Sequence, residues 1–193
     1  MPMIKIFLYV AATAVLAVDV WVLWRLAEKI IRFIKRQAPF ASSSALSRAA
    51  VVREINEHYP NMRRVCDIGS GHGGLARAIA RGCGVSVFAF ENMPLAALVS
   101  KIADVATRSG VHTIWCDAFA RVAASDGFDI AVAYLGPDMG DRIAALRHRI
   151  RVLIALDFPV AGMGATRVVD LPGGGYTMYG DKKYPHKLFI YEF

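Results

Sequence analysis

The sequence predicts an α/β fold, a Rossmann-like and mostly parallel sheet with a closing antiparallel hairpin, preceded by one transmembrane helix. Three observations predict it. Short β-rich runs alternate with helical stretches between Arg64 and Asp157, a glycine-rich turn follows the first of these runs, and a single apolar run stands ahead of them all. The chain has 193 residues, enough for one sizeable core; with 55% hydrophobic and 20% charged residues, disorder and fibrous repeats are excluded.

The apolar run, Ile6 to Trp24, holds 19 residues and one charge, Asp19. As a helix it would be about 28 Å long, close to the hydrocarbon thickness of a bilayer. Trp21 and Trp24 stand at one end, where indoles favour the headgroup layer, and Arg25, Lys29, Arg32, Lys35 and Arg36 follow at once. The positive-inside rule then places the large domain on the cytoplasmic side of a single-pass protein. A cleaved secretory signal would carry its charge before the apolar run, not after it. Asp19 costs ~1–3 kcal/mol if it faces lipid. Residues 1–36 thus read as an anchor with a basic juxtamembrane helix, and 37–193 as the globular domain. The anchor carries net +4 and the remainder net +3, too mild a balance for a dedicated nucleic-acid partner. Neither the three cysteines nor His58, His112, His148 and His186 show metal-ligand spacing, so no metal is expected.

Pro39 and the serines of Gln37–Ser44 break the first helix, and one serine can cap the next, Ala45–Tyr59. Strands are predicted at Arg64–Ile68, Val85–Glu91, Thr113–Asp117, Phe128–Leu135 and Val152–Asp157. Helices are predicted at Gly73–Arg81, Leu95–Ser109 and Gly140–Arg149. Their alternation implies right-handed βαβ units. Tyr176–Tyr179 and Lys187–Phe193 read as the closing hairpin, separated by a turn-rich GDKKYPH.

Open parallel sheets bind ligands at the carboxyl ends of their strands. Gly69, Ser70, Gly71 and Gly73 form the turn after the first strand, with the next helix directing its free amides at a ligand. The spacing suits a dinucleotide as well as S-adenosylmethionine. Asp67 separates the two, because a carboxylate suits an ammonium-bearing ligand better than an anionic pyrophosphate; otherwise it caps the loop amides. Glu91, at the end of the second strand, can accept ribose hydroxyls. Asp117, at the end of the third, can accept the adenine amine while Ala118 supplies an amide; its alternative role is a helix cap. Met93 and Phe119 can sandwich adenine or simply pack. Carboxylates at three successive strand ends indicate a class I methyltransferase with S-adenosyl-L-methionine as cofactor.

The blocks APFASSSALSRAAVVREI, CDIGSGHGGLARAIA, FAFENMPLAALVS, WCDAFARV and YLGPDMGDRIAALRHRIRVLIALDFPV, in this order, resemble the membrane-anchored protein-lysine methyltransferases of the ATP synthase c subunit and the adenine nucleotide translocase, with their prokaryotic relatives. The resemblance covers Ala38 to about Phe158. It implies that Asp67, Gly69, Gly71, Glu91 and Asp117 hold the cofactor, with Asn92 matching the family's asparagine after the acid. It also implies a lysine ε-amine on a membrane-associated protein as acceptor. His72 stands where the family often has a second acid, and Tyr134-Leu135-Gly136-Pro137 is only loosely similar to the family's exit from strand four. Tyr134, Gly136 and Pro137 are the candidates for the acceptor channel. Asp138 is a candidate partner for the substrate ammonium, or else a helix cap. A methyltransferase for a lipid or small amphiphile, and a non-catalytic binding protein on the same fold, are the alternative readings.

Overall fold

Ser44 opens the globular fold by accepting the Ser47 amide at 3.0 Å, as an N-cap should. The computed structural model describes residues 43–193 together with Val20 and Trp21, so the expected membrane anchor lies, apart from those two residues, outside the described residues. No helix among the described residues is long and apolar enough to cross a membrane. The chain separates into two compact units, Met1–Pro39 and Phe40–Phe193, and the second is described here.

Helix α1 (Ala45–His58) precedes a regular alternation: β1 (Val65–Ile68), α2 (Gly74–Cys83), β2 (Val87–Glu91), α3 (Pro94–Thr107), β3 (Val111–Trp115), α4 (Ala118–Ala123) and β4 (Phe128–Ala133). A 3-10 turn (Pro137–Met139), α5 (Gly140–Ala144) and β5 (Ile150–Leu156) follow, then four strands, β6 (Arg167–Asp170), β7 (Tyr176–Tyr179), β8 (Lys182–Pro185) and β9 (Lys187–Glu192). The main sheet runs β3-β2-β1-β4-β5-β9-β6, parallel from β3 to β5, with β9 antiparallel to both neighbours. Strand order reverses between β1 and β4, which opens a crevice at their carboxyl ends.

Alternating side chains build two cores. Val65, Ile130, Val132, Ile154 and Ile190 meet α1 and α2 through Val51, Ile55, Leu75 and Ile79. Cys66, Ile68, Ala131, Leu153 and Tyr191 meet Val122, Ile143 and Leu146 on the other face. Period-two alternation thus sends successive residues of each strand to opposite layers.

The carboxyl-terminal pairing differs from the sequence expectation. Tyr176–Tyr179 pairs with Lys182–Pro185, not with the last strand. Gly180, at φ +57°, and Asp181 form a two-residue turn, so Lys182–Pro185 returns as a strand at once. The last strand instead inserts between β5 and β6, where Leu188, Ile190 and Tyr191 are fully buried. β6 carried no clear signal because its side chains alternate between half-buried and exposed at the sheet edge. The helix expected over Gly140–Arg149 stops at Ala144 and continues as turns.

Candidate functional site

The glycine turn is shaped by the sheet beneath it. The amides of Gly69 and Ser70 both donate to the Phe90 carbonyl, at 2.9 and 3.0 Å, which pins the turn to the end of β2. Gly69, Gly71 and Gly73 all have positive φ, at 75°, 55° and 73°. A Cβ on Gly69 would lie 2.6 Å from the Leu135 side chain, and one on Gly73 would overlap the Ser100 hydroxyl. Gly73→Ala therefore combines a left-handed backbone with a steric clash, and a loss of about 2 kcal/mol or more is expected on chemical denaturation.

Glu91 clamps the same turn. Its two carboxylate oxygens accept the Gly71 amide at 2.6 Å and the Met93 amide at 2.7 Å. The residue is 5% exposed, so these are charge-assisted bonds in a largely dry setting. Each oxygen keeps a second lone pair for a ligand hydroxyl. Asn92, one residue on, is exposed, and its carbonyl accepts from the Trp115 indole at 3.0 Å.

Asp67 is different. It lies 3% exposed on β1, and the loop amides of its alternative capping role have other partners. Burial, and secondarily the nearby Glu91 charge, push its carboxyl up to about 7, opposed by the Ala76 amide. Among the described residues only Asp67 Oδ2, Ser70 Oγ and Arg167 Nε are buried side-chain polar atoms without a hydrogen-bond partner. Two of the three stand three residues apart, Asp67 on β1 and Ser70 in the turn that follows it. A buried acceptor and a buried hydroxyl left open at the mouth of a glycine cradle fit a polar ligand that carries its own donors.

Asp117 does not end the third strand. That strand begins two residues earlier than expected and stops at Trp115, because Val111 pairs with Val87 at the start of the register. Asp117 instead caps α4, accepting the Phe119 and Ala120 amides, and pairs with Arg142 at 2.9 Å. Burial, the largest single influence, raises its carboxyl, but Arg142 and the two amides together outweigh it and hold the group below the ordinary range. The Arg142 guanidinium also lies 4.0 Å from the centroid of the Phe119 ring. Ala118, the first residue of α4, is buried.

At the ends of β4 and β5 stands a second cluster. The Tyr134 ring stacks on Phe158, centroids 6.1 Å apart, and Tyr179 and Tyr184 meet Phe158 edge-on at 5.7 and 4.8 Å. Tyr134 donates to Thr177 at 3.2 Å, and Thr177 donates to Asp157 at 2.7 Å. Asp157 is 2% exposed, lies at φ +61° and faces His186 Nδ1 at 3.1 Å. Asp138 accepts from the Tyr179 hydroxyl at 2.6 Å; no side chain caps α5, so Asp138 is not the helix cap. This bond is the main reason that the Tyr179 phenol is held up at about 12. Gly136 is required here, because a Cβ would run into the Tyr179 ring, and Pro137 opens the 3-10 turn beside it.

The structure therefore brings the candidates together in two groups at the carboxyl end of the parallel strands. Asp67, Gly69, Ser70, Gly71, Gly73 and Glu91 form the first, and Tyr134, Gly136, Pro137 and Asp138 join the second. Phe158, Thr177, Tyr179, Tyr184 and Asp157 were not singled out by sequence, and His186 was weighed only as a metal ligand and set aside. The only available signal was the aromatic density of the Tyr176–Tyr184 segment, hidden by its reading as half strand and half turn.

No protein-family model and no curated protein matches the sequence. Solved structures do. An RNA methyltransferase from Salinibacter ruber, determined with S-adenosyl-L-homocysteine, superposes with a TM-score of 0.62 at 16% identity, covering 79% of this chain and 93% of that one. The fold is that of the class I S-adenosylmethionine-dependent methyltransferases. A precorrin-6y C5,15-methyltransferase from Geobacter metallireducens matches at 0.55 and 15% identity, over 78% of this chain and 92% of its own. TrmK of M. capricolum, also with S-adenosyl-homocysteine, matches at 0.52 and 11%, over 74% and 67%. At these identities the likeness concerns the fold, and the substrates of these proteins differ widely.

Proposed function

We propose that the chain is an S-adenosylmethionine-dependent methyltransferase that modifies a lysine ε-amine of a membrane-associated protein, from the cytoplasmic side of the bilayer. The observation that carries the cofactor reading is the pair of open buried atoms, Asp67 Oδ2 and Ser70 Oγ, in a cradle too tight for side chains. Asp67 would hold the cofactor's ammonium, the Gly69–Gly73 turn its amino-acid end, and Glu91 its ribose. Asp117 and Ala118 would flank the adenine, with Asn92 near the ribose. Bound there, the cofactor supplies an electrophilic methyl group on a sulfonium.

The acceptor reading is supported by the second cluster. Four aromatic rings and the Asp138 carboxylate suit a cationic side chain entering beside the end of β4, through cation–π and charge contacts. Those contacts would draw in the ammonium form; burial and the cofactor's positive sulfonium would then lower the amine's proton affinity and favour the neutral nucleophile. Proximity and alignment then carry much of the rate. Confinement beside a bilayer raises the effective concentration of a membrane-embedded acceptor.

The test uses the full chain in vesicles with labelled cofactor and lysine-bearing membrane proteins. Asp138→Asn is expected to raise KM for the acceptor about five- to tenfold with kcat little changed. Label appearing in lipid, with no change of lysine acceptors in the variant, would replace this reading with the lipid methyltransferase.

A further inference from the structure

Helix α3 is inverted relative to an ordinary surface helix. Its buried positions are small or polar, Ala96, Ala97, Ser100 and Asp104. Beneath it Asp104 pairs with Arg77 at 3.0 Å and accepts from Thr113 at 2.6 Å, while Ser100 bonds Thr113 at 2.8 Å. That polar network takes the inward face. The aliphatic side chains are turned out, with Leu95 at 70%, Ile102 at 62% and Val105 at 80% exposure, joined by Leu98 and Val99. Their spacing of three and four residues makes one continuous stripe. Trp115, at the end of the edge strand β3 beside α3, adds an exposed indole.

We propose that this stripe is a lipid-contact face, which lies in the headgroup and upper acyl region of an anionic bilayer. Three features favour lipid as the occupant. First, because Asp104 is buried and neutralised, the outward charges on and just beyond the helix are Lys101 and Arg108, with no acid. That pattern complements anionic headgroups and disfavours a symmetric pairing of two copies, which would set like charges together. Second, an indole beside an aliphatic stripe suits the membrane interface. Third, the sequence leaves only 18 residues between Trp24 and Ser43, a reach of at most about 65 Å when fully extended. If Ile6–Trp24 spans a bilayer, the domain is tethered within that distance of the membrane surface. The inference rests on that anchoring but not on the identity of the acceptor. It implies a fixed orientation, with α3 against the lipid.

Trp115 reports on it directly. The chain has three tryptophans, so Trp21→Phe with Trp24→Phe leaves Trp115 as the single indole. This full chain is reconstituted in phosphatidylcholine–phosphatidylglycerol vesicles with and without brominated acyl chains. Brominated lipid is expected to remove about half or more of the Trp115 emission. Adding Leu98→Glu and Ile102→Glu should abolish that quenching while cofactor binding persists, because both positions are exposed. A chain that floats with the vesicles and shows no quenching overturns the proposal while leaving the anchor intact. Absent quenching together with an Ile102→Cys disulfide between chains would identify a second copy as the occupant. A chain that fails to float overturns the anchor and this proposal together, without touching the methyltransferase reading.

Discussion

Replacing Asp67 with asparagine is expected to abolish the rise in melting temperature that S-adenosylmethionine gives the full chain, with affinity falling a hundredfold or more. Removing one member of a buried charge pair costs on the order of 3–5 kcal/mol, and 1.4 kcal/mol is a factor of ten. The same substitution should stabilise the unliganded protein. The Asp67 carboxyl is raised to about 7, so the folded chain holds a proton that the unfolded chain releases near 4. Its contribution to stability is present below pH 4 and is lost as pH rises through 7. At pH 8 the buried charge costs about 4 kcal/mol, which asparagine does not incur. Binding of an ammonium requires the ionised form, so wild-type affinity should weaken about tenfold per pH unit below 7. Isothermal titration at pH 5.5 and 7 checks this, and the Asp67→Asn variant should be flat across the range. An unchanged affinity in the variant would remove Asp67 from the site.

Glu91→Gln is the second large effect. Glutamine can accept from only one of the Gly71 and Met93 amides and presents an NH2 to the other. Losing a charge-assisted buried bond and facing two donors together should cost about 2–4 kcal/mol. For a chain of this size that is a fall in melting temperature of about 5–15 °C. The turn loses its anchor, so cofactor affinity should fall at least tenfold. Glu91 also helps to raise Asp67, so in this variant the pH midpoint of any remaining binding should move below 7. Scanning calorimetry and titration across pH separate these effects. A variant with wild-type melting behaviour would show that the clamp is dispensable.

Much of this was legible because local and global signals agree in the first two-thirds of the domain. β1 and the glycine turn are marked by an apolar run ending in glycines, the residues that a left-handed backbone favours. β1, β2, β4 and β5 are buried on both faces almost throughout and read as continuous apolar runs, whereas β3, at the sheet edge, is partly exposed and its ends lie two residues from their expected places. Asp117 shows the cost of such a shift: two residues turn a strand terminus into a helix cap. The last quarter was harder. Lys182–Pro185 is polar because it lies in a separate two-stranded ribbon, and Arg167–Asp170 is half-exposed because it edges the sheet. Neither builds a core, so neither carries a strong periodic signal. The aromatic cluster was illegible for the same reason, since Phe158 and Tyr184 meet only through the long-range pairing of β9 with β5.

The direct test is peptide mass spectrometry of membrane proteins from source cells with and without this gene. At least one lysine on a membrane protein is expected to carry methyl groups in the parent and none in the deletion, with methylation restored by the wild-type gene and not by Asp67→Asn. Identical lysine methylation in the two strains, with purified protein still binding S-adenosylmethionine, would contradict it.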